Sequence, residues 1–334
     1  MTDDSDAAGR LWAMADLVTP MTIRVAATLR IADHIVRGRR TALELAEAAG
    51  ADADTLDRVL RYLAASGVLT RDQAGQYALT AKGDVLRDDH PRRLRAVLDL
   101  DSAVGRAELS FAQLLHSVRT GEPAFPAQFG RAFWEDLASD PARSASFDAQ
   151  MGWDVAAWAP AVISAYDWGS LGQVVDVGGG NGSLLIALLT EHPALRGTVV
   201  DLPGTAEAAR EALTTAGLAD RTEVVAGSFF DALPAGAGGY LVTAIIHDWD
   251  DEAARTILGR CREAAGANGK VFVIEKIGSD GASPNTEMDL RLLAYLGGRE
   301  RGVAELDALA EASGFRVAAV HAAGSISVLE LAAL

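Results

Sequence analysis

Two short runs hold most of the residues able to do chemistry. The first is Val174-Val175-Asp176-Val177-Gly178-Gly179-Gly180-Asn181-Gly182-Ser183. Strand-prone residues lead into glycines that accept positive φ and let the backbone approach a ligand with no Cβ in the way. Leu184, Leu185, Ile186, Leu188 and Leu189 then form the buried side of a helix whose first amides face the same ligand. The run predicts a nucleotide-type cofactor site; the plain alternative is a tight turn with no ligand. The second run is Tyr240-Leu241-Val242-Thr243-Ala244-Ile245-Ile246-His247-Asp248-Trp249. Here an apolar strand over 240–246 delivers His247 to its C-terminal end, the edge where open α/β sheets bind ligands. An imidazole titrates near neutrality and suits the removal of a hydroxyl proton. Glu275, closing Val271-Phe272-Val273-Ile274, and Glu300, within Gly297-Gly298-Arg299-Glu300-Arg301, are carboxylates able to orient and stabilise an imidazolium.

Glycine spacing discriminates between cofactors. A dinucleotide fingerprint places its third small residue three positions after the second glycine, and Ser183 stands there. The chain instead reads D-x-G-x-G-x-G through Asp176, Gly178, Gly180 and Gly182, which resembles motif I of the S-adenosylmethionine-dependent methyltransferases. About twenty residues on, Thr198-Val199-Val200-Asp201-Leu202-Pro203 ends a strand in an acid placed to accept from ribose hydroxyls. In Gly227-Ser228-Phe229-Phe230, Phe229 could pack on an adenine ring while Ser228 meets its polar edge. Core packing explains Phe230 equally well.

The elements that must position these groups alternate. Strands are expected at 172–177, 197–201, 222–226, 240–246, 270–276, 316–322 and 325–332, a doubly wound, Rossmann-like α/β sheet of seven strands whose last two pair as an antiparallel hairpin. Upstream the pattern is helical. Helices run from Leu11 to Val36 with a break near Pro20, Thr41 and Glu44 open a capping box, and Asp54 caps a helix ending at Gly67. A strand pair around Val68-Leu69-Thr70 and Tyr77-Ala78-Leu79 completes a winged-helix-like pattern. Residues 96–165 read as helical, with Pro123 and Pro126 in a loop. Three regions result: 1–100 as a winged-helix-like dimerisation domain, 101–165 as a helical linker contributing to a substrate pocket, and 166–334 as the catalytic domain.

Bulk properties narrow the partners. A net charge of -16 over 334 residues disfavours nucleic acid, whose phosphates call for a basic face. Arg92, Arg93 and Arg95 form the main local basic run, read as a solvated helix surface. One cysteine, Cys261, rules out a disulfide framework and reads as an inert helix thiol. The acidic start and the lack of a spanning apolar run point to a cytoplasmic protein with no membrane segment. No acid and histidine grouping suggests a metal.

Together the glycine motif, Asp201, the Ser228-Phe229 turn, His247-Asp248-Trp249, Glu275 and the Gly297–Arg301 loop follow the order and spacing of the plant and bacterial small-molecule O-methyltransferases. That resemblance spans the whole chain and implies a homodimer built on the N-terminal domain. It implies S-adenosylmethionine as cofactor, S-adenosylhomocysteine as product and no metal. His247 becomes the general base flanked by Glu275 and Glu300; Asp176, Gly178, Gly180, Asp201, Leu202, Ser228, Phe229 and Thr243 become cofactor residues. The family commonly has Asp at position 228 and often Lys at 243, so the hydrogen bonding there must differ. Trp134, Phe147, Met151, Asp248, Leu292 and Tyr295 fall where the family lines an aromatic acceptor pocket. Bacterial members most similar in the Ala103-Val104-Gly105-Arg106 and Asp289-Leu290-Arg291-Leu292 stretches act on hydroxynaphthoic acids in antibiotic biosynthesis. The implied acceptor is a 3-hydroxy-1-naphthoate-type acid methylated on a phenolic oxygen, its carboxylate met by Arg10 or Arg291. The alternative is a protein of the same fold that uses bound S-adenosylmethionine for hydroxylation or decarboxylation of an aromatic polyketide. A ligand-responsive DNA-binding regulator is a third reading, disfavoured by the acidic balance.

Overall fold

The computed structural model describes residues 2–277 and 285–334 and separates into two compact units, Met1–Arg106 and Ala107–Leu334. The first unit is helical around a small hairpin. Helices Thr2–Ala15 and Val18–Thr28 are separated at Asp16 and Leu17, so the break precedes Pro20. Pro20 sits in the first turn of the second helix, where a missing N–H costs nothing. The Thr41–Glu44 capping box is present and Gly50 ends that helix in the left-handed region. Asp52 caps Ala53–Ala65 by accepting from Thr55 N at 2.9 Å, two residues before the expected Asp54, which lies in the first turn. Strands β1 (Leu69–Arg71) and β2 (Tyr77–Leu79) pair antiparallel. Ile31, Leu45, Leu60, Leu63 and Tyr77 fill the core. Arg95 is not part of a solvated face: it is 7% exposed and bridges Asp88 and Asp99 at 2.7 and 2.8 Å. Burial of its stem is matched by two carboxylates, Asp99 at i+4 and Asp88 seven residues upstream.

The second unit begins with short helices, among them Ala124–Phe129, which absorbs Pro126 rather than leaving it in a loop. The long helix Pro141–Ala165 follows. Seven strands then form one sheet: β3 (Gln173–Val177), β4 (Arg196–Asp201), β5 (Thr222–Ala226), β6 (Gly239–Thr243), β7 (Lys270–Glu275), β8 (Phe315–Ala323) and β9 (Ile326–Ala333). Their order is β5-β4-β3-β6-β7-β9-β8. The first five are parallel, while β9 pairs antiparallel with both β7 and β8. Continuous apolar runs such as Val174-Val175 and Tyr240-Leu241-Val242 are buried on both sides, as central parallel strands require. Two apolar clusters cover the two faces, one around Val175, Val242, Ile257 and Val273, the other around Leu185, Leu188, Leu241 and Phe272. Strand order reverses between β3 and β6, so loops leaving those neighbours diverge and open a crevice at their C-terminal ends.

Strand β6 ends at Thr243, three residues before the sequence pattern suggests. Ala244 takes φ 51 and breaks the extended backbone, although its N–H still donates to Ile274 O at 2.9 Å. A non-glycine residue in this region costs about 1 kcal/mol. The bend passes the chain into a short 3-10 turn, Ile246–Asp248, that presents His247.

Candidate active site

Both functional runs meet at the switch point. After β3, Gly178, Gly180 and Gly182 adopt φ 68, 59 and 77, so side chains are strained there. Gly178 N donates to Val200 O at 2.8 Å, which ties the turn to β4. A Cβ on Gly178 would lie 2.6 Å from Ile245 Cδ1 and 3.2 Å from Phe229, so the loops after β3, β5 and β6 converge on this glycine. Gly180 N donates to Asp201 Oδ2 at 2.8 Å and Leu202 N to Oδ1 at 2.7 Å. The acid expected to face a ribose therefore also fastens the turn. Burial pushes its carboxyl above the usual range, opposed by those two amides.

Asp176 lies beneath, 1% exposed, with both carboxylate oxygens lacking a partner among the described residues. Burial, then the charge of Asp201, carries it up to about 7. Ser228 serves its own turn: Oγ accepts from Phe230 N at 3.2 Å. Phe229 and Phe230 stand edge-on to Trp249 at 5.9 and 4.9 Å. Thr243 Oγ1 is buried without a partner among the described residues, and Leu202 is exposed.

The second cluster gathers the three expected catalytic groups. His247 Nδ1 lies 3.1 Å from Glu275 Oε2, and Nε2 is 3.5 Å from Asp248 Oδ1. His247, Glu275, Glu300, Ile246, Arg301 and Leu306 pack around one narrow gap. Burial opposes an imidazolium, yet Glu275, Asp248 and Glu300 outweigh it and carry His247 up to about 10. Asp248 rises to about 7 because burial exceeds the pull of His247. Burial likewise raises Glu300.

Residues outside the expected set hold this geometry. Arg301, 4% exposed, donates to Ile246 O at 2.8 Å, Trp249 O at 2.9 Å and Asp251 Oδ1 at 2.7 Å, clamping both ends of the histidine turn. Arg299 N donates to His247 O at 2.8 Å, and Gly298 passes so close that a Cβ would meet that oxygen at 2.2 Å. Asp289 accepts from Glu300 N at 2.9 Å. Only the glycine pair at 297 and 298 offered a sequence signal, as backbone needing close approach.

The proposed acceptor residues form an aromatic group. Trp134 stands 5.1 Å from Phe133 and 5.6 Å from Phe147, and Tyr295 stacks on Phe133 at 6.4 Å. Tyr295 shares helix Thr286–Tyr295 with Asp289, so one helix links this group to the histidine cluster. Tyr295 OH and Arg291 Nε both donate to Glu108 Oε1, and Arg291 Nη1 also reaches Glu287 at 2.6 Å. Arg291 is thus already held by two carboxylates. Met151 is half-buried on the long helix, while Leu292 is 4% exposed and packs as core. Arg10, in the other unit, is exposed and pairs with Asp6. Cys261 is buried, its thiol pushed up to about 12 by desolvation. His321 pairs with Glu330 at 3.2 Å, outside both clusters. Among the described residues no grouping of His, Cys, Asp and Glu is arranged to hold a metal ion, and no helix is long and apolar enough to cross a membrane.

Comparison with known proteins places this arrangement. An O-methyltransferase domain model matches residues 111–316 and an O-methyltransferase dimerisation domain model matches residues 12–89. The 2,7-dihydroxy-5-methyl-1-naphthoate 7-O-methyltransferase of Streptomyces carzinostaticus is 55% identical over 324 residues, 97% of each chain. Aclacinomycin 10-hydroxylase of Streptomyces purpurascens is 42% identical, covering 96% of this chain and 89% of that protein. A crystal structure of an O-methyltransferase from neocarzinostatin biosynthesis, in complex with S-adenosylmethionine and 2-hydroxy-5-methyl naphthoic acid, superposes with a TM-score of 0.93 at 55% identity. It covers 97% of this chain and 98% of that one. With both domain models matched and near full-length identity on either side, the chain belongs to the S-adenosylmethionine-dependent small-molecule O-methyltransferases.

Proposed function

We propose that this enzyme transfers a methyl group from S-adenosylmethionine to a phenolic hydroxyl of a hydroxynaphthoic acid of the 3-hydroxy-1-naphthoate type, with His247 as general base. The observation that carries the reading is His247 held against Glu275 at the same sheet edge as the glycine turn. The identity to a naphthoate O-methyltransferase supports the acceptor class.

The residues present fit the donor. Left-handed glycines bare the backbone, Asp201 stands at the tip of β4, and the buried Thr243 hydroxyl lacks a protein partner among the described residues. Asp176, Gly178, Gly180, Asp201, Leu202, Ser228, Phe229 and Thr243 would hold it. Bound there, S-adenosylmethionine supplies an electrophilic methyl carried on a sulfonium. The chain's own task is to prepare the oxygen. Glu275 Oε2 lies 3.1 Å from Nδ1 on one side of the ring, which turns Nε2 toward the acceptor hydroxyl beside Asp248. Because the carboxylates favour the imidazolium, reaction takes one of two equivalent forms: a neutral imidazole removes the proton, or an imidazolium receives an acceptor that is already phenolate. Both need the complex to lose one proton, so kcat/KM rises with pH on its acid side.

Trp134, Phe147, Met151, Leu292 and Tyr295 would frame the aromatic acceptor. The matched dimerisation domain supports a homodimer. Incubation with methyl-labelled S-adenosylmethionine and a panel of phenols, 3-hydroxy-1-naphthoate and 2,7-dihydroxy-5-methyl-1-naphthoate tests the assignment. Label should enter a hydroxynaphthoate; label in none of them refutes it. The 42% identity to a hydroxylase supports a second reading, hydroxylation or decarboxylation. A product heavier by oxygen, or lighter by carbon dioxide, would select it.

A further inference from the structure

The glycine turn is ringed by more negative charge than its backbone geometry requires. Asp148 lies on helix Pro141–Ala165, whose backbone carbonyl at that residue accepts from Asn181 Nδ2 at 3.4 Å. One turn on, at i+4, a Cβ on Gly152 would stand 2.9 Å from Asn181 Nδ2 and 3.0 Å from Ser183 Oγ. Residues 148 and 152 share a helix face, so that face lies against the turn. Among the described residues the Asp148 carboxylate has no hydrogen bond or ion pair. Beneath the turn the buried Asp176 carboxylate is aimed at it: a Cβ on Gly179 would lie 2.6 Å from Asp176 Oδ2. Asp176 likewise lacks a partner among the described residues. Asp201 completes the ring, and its charge acts on both neighbours.

Three acids border the turn, Asp148 from the helix face packed on it, and among the described residues no cation of the chain pairs with any of them. Burial and Asp201 push Asp148 up to about 6, so the free site is electrostatically unfavourable. A ligand that brings positive charge relieves it. In methyl transfer the carbon–sulfur bond breaks, its electron pair stays on sulfur, the carbon–oxygen bond forms and the acceptor's proton passes to the base. The donor therefore changes from a net charge of about +1 to about 0, while its amino-acid zwitterion is unchanged.

We propose that Asp148 is a specificity-determining residue that makes the site favour the cationic sulfonium donor over its neutral thioether product, so that turnover itself weakens product binding. The inference rests on the cofactor assignment made above. It concerns one side chain on a helix that lies outside the glycine motif, and it acts on binding rather than on proton removal.

Calorimetric titration of wild type and Asp148→Asn with S-adenosylmethionine, S-adenosylhomocysteine and the cationic analogue sinefungin tests it. In the variant, affinity for both cations should fall about five- to tenfold while that for S-adenosylhomocysteine changes less than about twofold. An equal loss for all three, or no loss, overturns the proposal. If wild type binds none of them, the cofactor assignment fails and takes this inference with it. Asp148→Glu should restore part of the preference, which separates charge from a packing defect, and matched melting temperatures report an intact fold.

Discussion

The two turns that meet at the sheet's switch point are built on opposite plans. After β3 the working groups are backbone amides, and the acids around them divide: Asp201 accepts from two backbone amides, while Asp176 has no partner among the described residues. After β6 the working group is one side chain whose backbone is held from several sides: Glu275 Oε2 lies 3.1 Å from the ring, Arg301 grips the turn and Arg299 N donates to the carbonyl. The first turn leaves a buried acid free to meet a ligand; the second has its backbone clamped in advance. A site that must release a spent donor gains from the former plan. Proton transfer gains from the latter, because reorientation during the reaction would add to the barrier.

The largest test of this contrast removes the preassembled group. His247→Ala should lower turnover about 1000-fold with donor affinity unchanged by calorimetry; retained turnover would reduce His247 to a positioning role. Glu275→Gln should be milder, a loss of about 10- to 100-fold, because it leaves the base and removes its orienting charge. The sign of its pH effect follows from His247. Glu275 raises the imidazole pKa, so the variant's acid limb in kcat/KM should move to lower pH, and a limb that stays in place would detach Glu275 from the titration. On the ligand-dependent turn, Gly178→Ala meets Ile245 and an unfavourable φ together. It should cost about 1–3 kcal/mol of stability, read by denaturant unfolding, and weaken the donor while sparing the ionisation of His247. Smallest is Glu108→Gln, which loosens Tyr295 and Arg291. A severalfold rise in acceptor KM at near-constant kcat is expected from one weakened charge-assisted hydrogen bond of about 1 kcal/mol; a change in kcat instead would place Glu108 in the chemistry.

The sheet was legible because long apolar runs between turn residues can satisfy few other architectures. The β-strand boundaries agree closely, except at β6, where Ala244 carries a backbone conformation that alanine does not advertise. Glu275 stood out because it ends an apolar strand, and His247 because it follows one closely. Glu108, Asp148 and Arg301 did not, since their meaning comes from partners distant in sequence: Tyr295 for the first, the glycine turn for the second, Ile246 for the third. Arg95 shows the same blindness in the other direction, a charge that sequence assigns to water and folding assigns to two acids.

The antiparallel strand β9 has a consequence for synthesis. It is the last strand in the chain yet lies inside the sheet, hydrogen-bonded to β7 on one side and β8 on the other. The strand that ends in Glu275 therefore waits, one edge open, while roughly fifty further residues emerge at about 5–20 per second. For some seconds on the ribosome the nascent chain carries a complete glycine turn two strands away from an unpaired apolar edge, the kind of template on which neighbouring chains associate.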